Sequence, residues 1–279
     1  MTRAIVVVPC YNEAKRLNMR AIQDFGRRSE TVELLFVNDG SRDETLELLE
    51  HLHQTNPRRF SFLHLAKNGG KAEAVRQGFL LALDSGADCI GFWDADLATP
   101  LSEIEPFTRV LEAHAEIEVV IGTRMSLLGH RIERKPVRRL LGRLFARTAS
   151  MALGVRIFDT QCGAKLFRVT PQLSRYFSKP FLTRWIFDVE ILARMQQSHR
   201  AAGSPLDQAV YEFPLDAWRD VAGSSLKKGD FVKAVGELAR IYWTYLGPIA
   251  RPDDATWSPS GRPLPDASGK STRGDQRAA

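Results

Sequence analysis

The sequence predicts an α/β protein built on a mainly parallel sheet with helices on both faces. Three observations carry this. Apolar runs at residues 5–8, 34–37, 89–93 and 119–121 show no polar alternation, as expected of strands covered on both sides. They alternate with helical stretches at roughly 25–30-residue spacing, the rhythm of βαβ units. Each run ends in polar residues or glycine, and right-handed crossovers gather such ends on one edge of a sheet.

The elements follow in order. The first run stops at Pro9, which lacks the N–H a ladder needs. Tyr11, Asn12 and Glu13 then lie at the strand's carboxyl end, before a helix. The second strand ends at Asn38-Asp39-Gly40-Ser41. Gly40 permits a tight turn, and Ser41 or Asp43 caps a helix over 44–52. A third strand over 62–65 runs into Asn68-Gly69-Gly70-Lys71 and a helix over 72–83. Paired glycines before a helix let backbone N–H groups approach a phosphate, and Lys71 adds a full charge. The fourth strand ends in Asp94-Ala95-Asp96, and Pro100 turns the chain. The fifth ends at Gly122-Thr123-Arg124.

Taken alone, Asp94 and Asp96 read equally well as a turn with a helix cap. Their position changes the reading. They are the fourth of five polar strand ends, on the edge where α/β sheets bind ligands. There two carboxylates one residue apart are hard oxygen donors for a divalent cation.

At 279 residues the chain is long enough for a substantial core, and 44% hydrophobic with 26% charged residues is ordinary for a globular protein. A net charge of +6 points to an anionic partner. Three scattered cysteines, Cys10, Cys89 and Cys162, make neither a disulfide framework nor a zinc site and fit a reducing compartment. No run approaches the length that spans a bilayer, and no targeting segment precedes the first strand. The expected location is cytoplasmic.

Residues 124–156 carry nine Arg or Lys (124, 131, 134, 135, 138, 139, 143, 147, 156) against one acid, Glu133. Val137, Leu140, Leu141, Leu144, Phe145, Thr148 and Met151 fall on one helical face, with Arg138, Arg139, Arg143 and Arg147 around the other. A basic amphipathic helix fits an anionic membrane surface; a helix packed on the sheet with a solvated basic rim fits the pattern too. Clustered guanidinium forks also suit a phosphate monoester. With only Phe145 as an aromatic in the stretch and Phe158 just after it, it does not read as a nucleic-acid surface. Further on, a helix from about 186 carries Asp188 and Glu190 in its first turns, where the helix dipole favours acids on structural grounds alone. A strand over 210–213 and an amphipathic helix over 231–245 follow. Residues 251–279, polar with four prolines, read as a disordered tail.

The motifs Val8-Pro9-Cys10-Tyr11-Asn12-Glu13, Val37-Asn38-Asp39-Gly40-Ser41, Asn68-Gly69-Gly70-Lys71 and Asp94-Ala95-Asp96 resemble, in order and spacing, glycosyltransferase family 2 with its Rossmann-like GT-A fold. Asp159-Thr160-Gln161-Cys162-Gly163-Ala164-Lys165-Leu166-Phe167 and Trp185-Ile186-Phe187-Asp188-Val189-Glu190 resemble its dolichyl-phosphate β-glucosyltransferase branch. The resemblance covers about residues 4 to 245. It divides the domain into a nucleotide-sugar half, 1–123, and an acceptor half, 124–250. Three positions depart from the pattern: Cys10 for a small residue, Glu73 for glycine, and Ser225 for lysine, which Lys227 or Lys228 replaces.

The resemblance implies an inverting transfer of a hexose, glucose from UDP-glucose in the first instance, to a polyprenyl phosphate. Pro9, Tyr11, Asn12, Glu13 and Asp39 would hold uracil and ribose. Gly70 and Lys71 would lie by the phosphates, with Asp94, Ala95 and Asp96 at the donor and Asp94 and Asp96 holding Mg²⁺ or Mn²⁺. A phosphate monoester has a second pKa near 6 and is a nucleophile at neutral pH without a strong base. It needs positioning, expected from Arg124, Arg131 and Arg138, with Arg139, Gln161 and Lys227 alongside. An acceptor hydroxyl would instead need a base, for which Asp188 is the first candidate. The implied setting is peripheral, on the cytoplasmic face of an anionic membrane. Three other readings compete: a soluble-acceptor glycosyltransferase, a nucleotidyltransferase, and a non-catalytic binding module. Pro9-Cys10-Tyr11-Asn12-Glu13 is not the glycine-rich loop of a nucleotidyltransferase, and intact metal-site acids speak against a binding module.

Overall fold

The computed structural model describes residues 2–125, 128–129, 131–133, 136–219 and 228–248. The expected tail, the 221–226 loop and Lys227 lie outside the described residues.

The chain runs β1 (Ala4–Cys10), α1 (Met19–Arg28), β2 (Val32–Asp39), α2 (Thr45–Thr55), β3 (Phe60–Leu65), α3 (Lys71–Leu83), β4 (Cys89–Trp93), α4 (Ile104–Ala113) and β5 (Val119–Thr123). It continues with β6 (Arg131–Glu133), α5 (Pro136–Leu153), β7 (Ala164–Arg168), α6 (Pro171–Ser178), α7 (Phe187–Ala202), β8 (Val210–Pro214), β9 (Ala217–Arg219) and α8 (Lys228–Ile241). A π-helical turn, Tyr242–Leu246, extends α8.

Seven strands form one sheet in the order β3-β2-β1-β4-β7-β5-β8. All neighbours are parallel except at β7, which runs antiparallel to both β4 and β5. Strands β6 and β9 make a separate parallel pair. Because strand side chains alternate, β1 feeds both cores. Ile5 and Val7 pack with α3, α5, α6 and α7, while Ala4, Val6 and Val8 pack with α1, α2 and α4. The first of these layers is rich in aromatic rings, with Phe79 stacked on Phe177 at 3.9 Å between centroids.

Local chemistry fixes the helix ends. Asn18 accepts the Ala21 N–H to cap α1, and Thr170 caps α6 ahead of Pro171. The N-cap of α2 is Glu44, without a side-chain cap bond; Asp43, expected to cap it, lies one residue earlier and accepts from the Thr45 N–H and hydroxyl. Glu190, fully buried, accepts from the Leu182 and Thr183 backbone, from Arg194 and from the Tyr245 hydroxyl. It therefore ties the loop before α7 to the π turn.

Helix α5 packs by a different face from the one the apolar pattern marks. Phe145, Ala146, Ala149 and Leu153 are buried, whereas Leu144, Arg147 and Met151 are exposed. Small alanines seat the helix close to its neighbours, and the larger Leu144 and Met151 are left outward beside Arg147. Arg138 and Arg139 lie on this helix; their side chains are outside the description. Among the described residues, no helix is long and apolar enough to cross a membrane.

Candidate active site

The carboxyl ends of β1, β2 and β4 and the start of α3 enclose a cleft of about 240 Å³. Its lining includes Pro9, Tyr11, Glu13, Asp39, Lys71, Asp94, Ala95 and Asp96, all expected from sequence, together with Cys10, Arg16 and Ala74.

Asp94 leaves the end of β4 with its N–H bonded to the Gly163 carbonyl at 3.1 Å. Its Oδ1 stands 2.5 Å from Lys71 Nζ. Asp96 is turned by the loop at Leu97, whose φ of 51° is unusual for a non-glycine residue. The Asp96 Oδ1 accepts the Ala98 N–H at 3.0 Å, and Trp93 fixes the same loop by donating from its indole to the Thr99 carbonyl at 3.0 Å. Burial pushes the Asp96 carboxyl above its ordinary range, and the charge of Asp94 adds to the effect. Burial raises Glu13 as well, against the pull of Arg16. Burial acts to lower Lys71, but Asp94 and Asp188 more than offset it and hold the ammonium above its usual value.

Glu13 is positioned by its N–H to the Thr45 hydroxyl at 2.8 Å and by Arg16 at 2.5 Å from its Oε1. Its buried Oε2 has no hydrogen-bond partner among the described residues. Asp39 caps the turn into α3, accepting the Gly69 and Gly70 N–H groups at 2.7 and 2.8 Å. Those donors are thus engaged by the protein itself. Gly70 has a φ of +90°, and a side chain there would also meet the Arg184 guanidinium. Asn12, at a φ of 53°, stitches the first two strand ends together through Ser41 and Arg42.

A second cavity of about 800 Å³ lies beyond the end of β5, walled by Thr123, Arg124, Arg147, Met151, Arg156 and Phe158 among others. Arg124 is clamped: its Nε and Nη2 donate to the two Asp159 oxygens at 2.6 and 2.7 Å, and the guanidinium lies 5.2 Å from the Trp218 ring centroid. The Thr123 hydroxyl is buried without a hydrogen-bond partner among the described residues. Arg131 is exposed on β6, and Gln161 is half-buried in the turn before β7.

Asp188 lines neither cavity. It is buried at the start of α7, with Oδ1 3.4 Å from Lys165 Nζ. Burial raises its carboxyl above the ordinary range, while Lys165 and Lys71 pull the other way.

Gly163 is a site residue that the sequence reading left unassigned. A Cβ built on it would lie 1.9 Å from Asp94 Oδ2, so only glycine lets β7 approach the carboxylate. The paired strands β4 and β7 bring it there, although nothing local marks the pairing. Arg16 was equally silent, its one available sign being a basic residue three positions after Glu13, and Cys10 was marked only as a departure from the family pattern.

Asp94 and Asp96 fit a divalent cation as two hard oxygens, with the remaining ligands left to a substrate diphosphate and water, the usual arrangement for Mg²⁺. No group of three or more acidic, histidine or cysteine ligands occurs among the described residues. Burial is the main cause of the raised Asp96 carboxyl, and the Asp94 charge beside it adds a repulsion that a cation would relieve.

A parallel sheet broken by one antiparallel strand, with paired carboxylates at the end of its fourth strand, defines the GT-A class of glycosyltransferase. The family described as Glycosyl transferase family 2 matches residues 5–172, and the chain belongs to it. A dolichyl-phosphate beta-glucosyltransferase of Trichomonas vaginalis, ALG5C, is 33% identical over 84% of this chain and 69% of its own length. The Saccharomyces cerevisiae dolichyl-phosphate beta-glucosyltransferase is 31% identical over 88% of this chain and 76% of its own. In fold, the chain matches Mycobacterium tuberculosis glucosyl-3-phosphoglycerate synthase solved with Mn²⁺, UDP-glucose and phosphoglyceric acid. There the TM-score is 0.61 at 19% identity, over 87% of this chain and 80% of that one. The chain is a hexosyltransferase.

Proposed function

We propose that this enzyme transfers glucose from UDP-glucose to the phosphate of a polyprenyl phosphate, with inversion, at the surface of an anionic membrane. The observation that carries the reading is the pairing of two unlike cavities on one sheet edge. The polar cleft suits a nucleotide diphosphate. The larger cavity has an apolar lining interrupted by Arg124, Arg147 and Arg156, which suits a phosphate on an apolar chain far better than a small polar acceptor. The names of the relatives support the same acceptor class.

On this reading Glu13 Oε2 and Asp39 meet the nucleoside, and Lys71 stands at the diphosphate. A divalent cation, Mg²⁺ or Mn²⁺, at Asp94 and Asp96 supplies Lewis-acid stabilisation of charge on the departing diphosphate. The acceptor phosphate is already ionised near neutral pH, so no base is required. That agrees with Asp188 lying buried against Lys165 outside both cavities. Arg147, Arg156 and the Thr123 hydroxyl meet the acceptor phosphate, while Arg124 shapes the wall through its clamp to Asp159; Arg131 and Gln161 serve the approach, and Arg138, Arg139 and Lys227 stay acceptor candidates on sequence alone. Exposed Leu144, Met151 and Phe158 beside Arg147 and Arg156 give α5 and the loop after it a mixed apolar and basic face for the headgroup region.

The test is transfer of labelled glucose from UDP-glucose, with Mg²⁺ or Mn²⁺, offered undecaprenyl phosphate and a soluble sugar together. Label is expected in the lipid phase. Label confined to the aqueous phase overturns the acceptor, and activity undiminished by a chelator overturns the metal.

A further inference from the structure

Lys71 cannot keep its partner once a cation takes Asp94. Its ammonium stands 2.5 Å from Asp94 Oδ1, and a divalent ion held by the same carboxylate would stand within repelling distance of it. Two cations on one carboxylate repel, so Lys71 needs somewhere else to go.

A second carboxylate lies within its electrostatic reach. Asp188 is buried, and its Oδ1 has no hydrogen bond among the described residues. Lys165 Nζ lies 3.4 Å from that oxygen and donates one of its three N–H groups to the Cys162 carbonyl at 2.7 Å. At that longer distance Lys165 balances the Asp188 charge and leaves the Oδ1 room for a closer donor. Lys71 and Asp188 each feel the other's charge. Lys71 Nζ also lies 5.8 Å from the ring centroid of Phe187, the residue next to Asp188. A buried acceptor left unmade is costly, and the Lys71 ammonium is the second donor whose charge already bears on it.

We propose that Asp188 is a positioning residue that receives Lys71 when a divalent cation occupies Asp94 and Asp96. Lys71 bridges Asp94 in the metal-free enzyme and turns to the Asp188 Oδ1 in the metal-bound one. It thereby vacates the metal site while staying close to the donor cleft. This rests on the metal reading above.

The experiment is a Mn²⁺ titration without donor or turnover, with free Mn²⁺ read by electron paramagnetic resonance. It compares the wild type, Asp188→Asn, Lys71→Met and the double variant. Asp188→Asn should weaken Mn²⁺ binding about tenfold, because Lys71 then has only Asp94. Lys71→Met should tighten binding. In the Lys71→Met background, Asp188→Asn should have no effect, because no ammonium remains to be displaced. A purely structural Asp188 would weaken Mn²⁺ binding in both backgrounds alike, and that result, or no effect in either, overturns the proposal. A wild type that binds no Mn²⁺ overturns the metal reading and the proposal with it. Should Asp188→Asn alone fail to fold, Asp188→Asn with Lys165→Met removes both buried charges together, and the same comparison is made there.

Discussion

Gly163→Ala is the sharpest probe of how the site is built. The added methyl would lie 1.9 Å from Asp94 Oδ2, where ordinary contact begins at 3.4 Å, so the carboxylate must retreat by about 1.5 Å. The backbone has little freedom to absorb this, because the Gly163 carbonyl already takes the Asp94 N–H and β4 pairs with β7 from Trp93 and Ala164 onward. The displacement falls on the side chain and breaks its 2.5 Å contact with Lys71. Misplacing a reacting group by about 1 Å costs about 100-fold in rate, so kcat/KM for glucosyl transfer should fall at least that far. Stability should change little, since Asp94 is half-exposed and no backbone strain is added; a loss of about 1 kcal/mol lowers Tm by about 2–4 °C. The assay is label transfer at saturating lipid, with thermal melting in parallel. Near-normal turnover by a folded Gly163→Ala enzyme would show that the Asp94 carboxylate has no fixed place in the reaction.

Other outcomes follow from single contacts. Asp96→Ala should abolish Mn²⁺ binding and transfer while leaving the melting temperature within a few degrees of the wild type; normal turnover would refute the metal assignment. Arg124→Ala leaves Asp159 buried without its guanidinium, a loss of about 3 kcal/mol, and chemical denaturation should read it directly. Glu73 is held below the usual carboxylate range chiefly by Arg76, helped by Gln77. Its stabilisation is complete above the unfolded value of 4.5 and is lost as pH falls through the lower folded value. Glu73→Gln should therefore melt lower at pH 7, by at most about 1 kcal/mol for a partly exposed pair, and the two melting curves should converge as the pH is lowered below the ordinary range. Leu144→Glu with Met151→Glu should abolish co-sedimentation with anionic liposomes and leave the fold intact, because both side chains are exposed; unchanged, salt-insensitive binding would refute the membrane face.

Much of the sheet was legible because its strands are buried on both faces and read as plain apolar runs. The strand-end motifs were legible for a related reason. A proline, a glycine pair or two carboxylates directly after an apolar run mark a carboxyl edge, and most of those residues do converge on one cleft. The position of β7 was not legible. Its run, Ala164 to Arg168, looks like any short strand, and local sequence carries no sign that it inserts antiparallel between β4 and β5. Gly163 was hidden with it. The packing face of α5 was ambiguous because Leu144 and Met151 satisfy one helical stripe while Ala146, Ala149 and Leu153 satisfy another, with Phe145 shared by both. Side-chain size argued for the first, and close approach selected the second. The clamp on Arg124 comes from Asp159, 35 positions later, a pairing that charge counting cannot see. Glu73, which departs from the family pattern, is explained by the structure. It holds Arg76, and Arg76 reaches the Phe177 and Ser178 carbonyls, so the pair fastens α3 to α6.

The turn from Asp159 to Lys165 joins the two cavities mechanically. Asp159 fixes Arg124 in the wall of the larger cavity. The Cys162 carbonyl takes the ammonium of Lys165, which in turn faces Asp188. Gly163 holds the backbone of Asp94 and leaves room for its carboxylate. A residue at either end of this turn cannot shift without moving one at the other, because the intervening chain is short and is anchored at Asp159, at the Cys162 carbonyl and at the Gly163 carbonyl. The distance between the paired carboxylates and the arginine-walled cavity is therefore set by β7 and the turn before it, not by the strand ends that the motifs mark. This gives a physical reason for a long motif in the second half of the chain that contributes only Asp159 to the lining of either cavity: it works as a spacer, holding the two cavities, the proposed donor and acceptor sites, at one fixed separation.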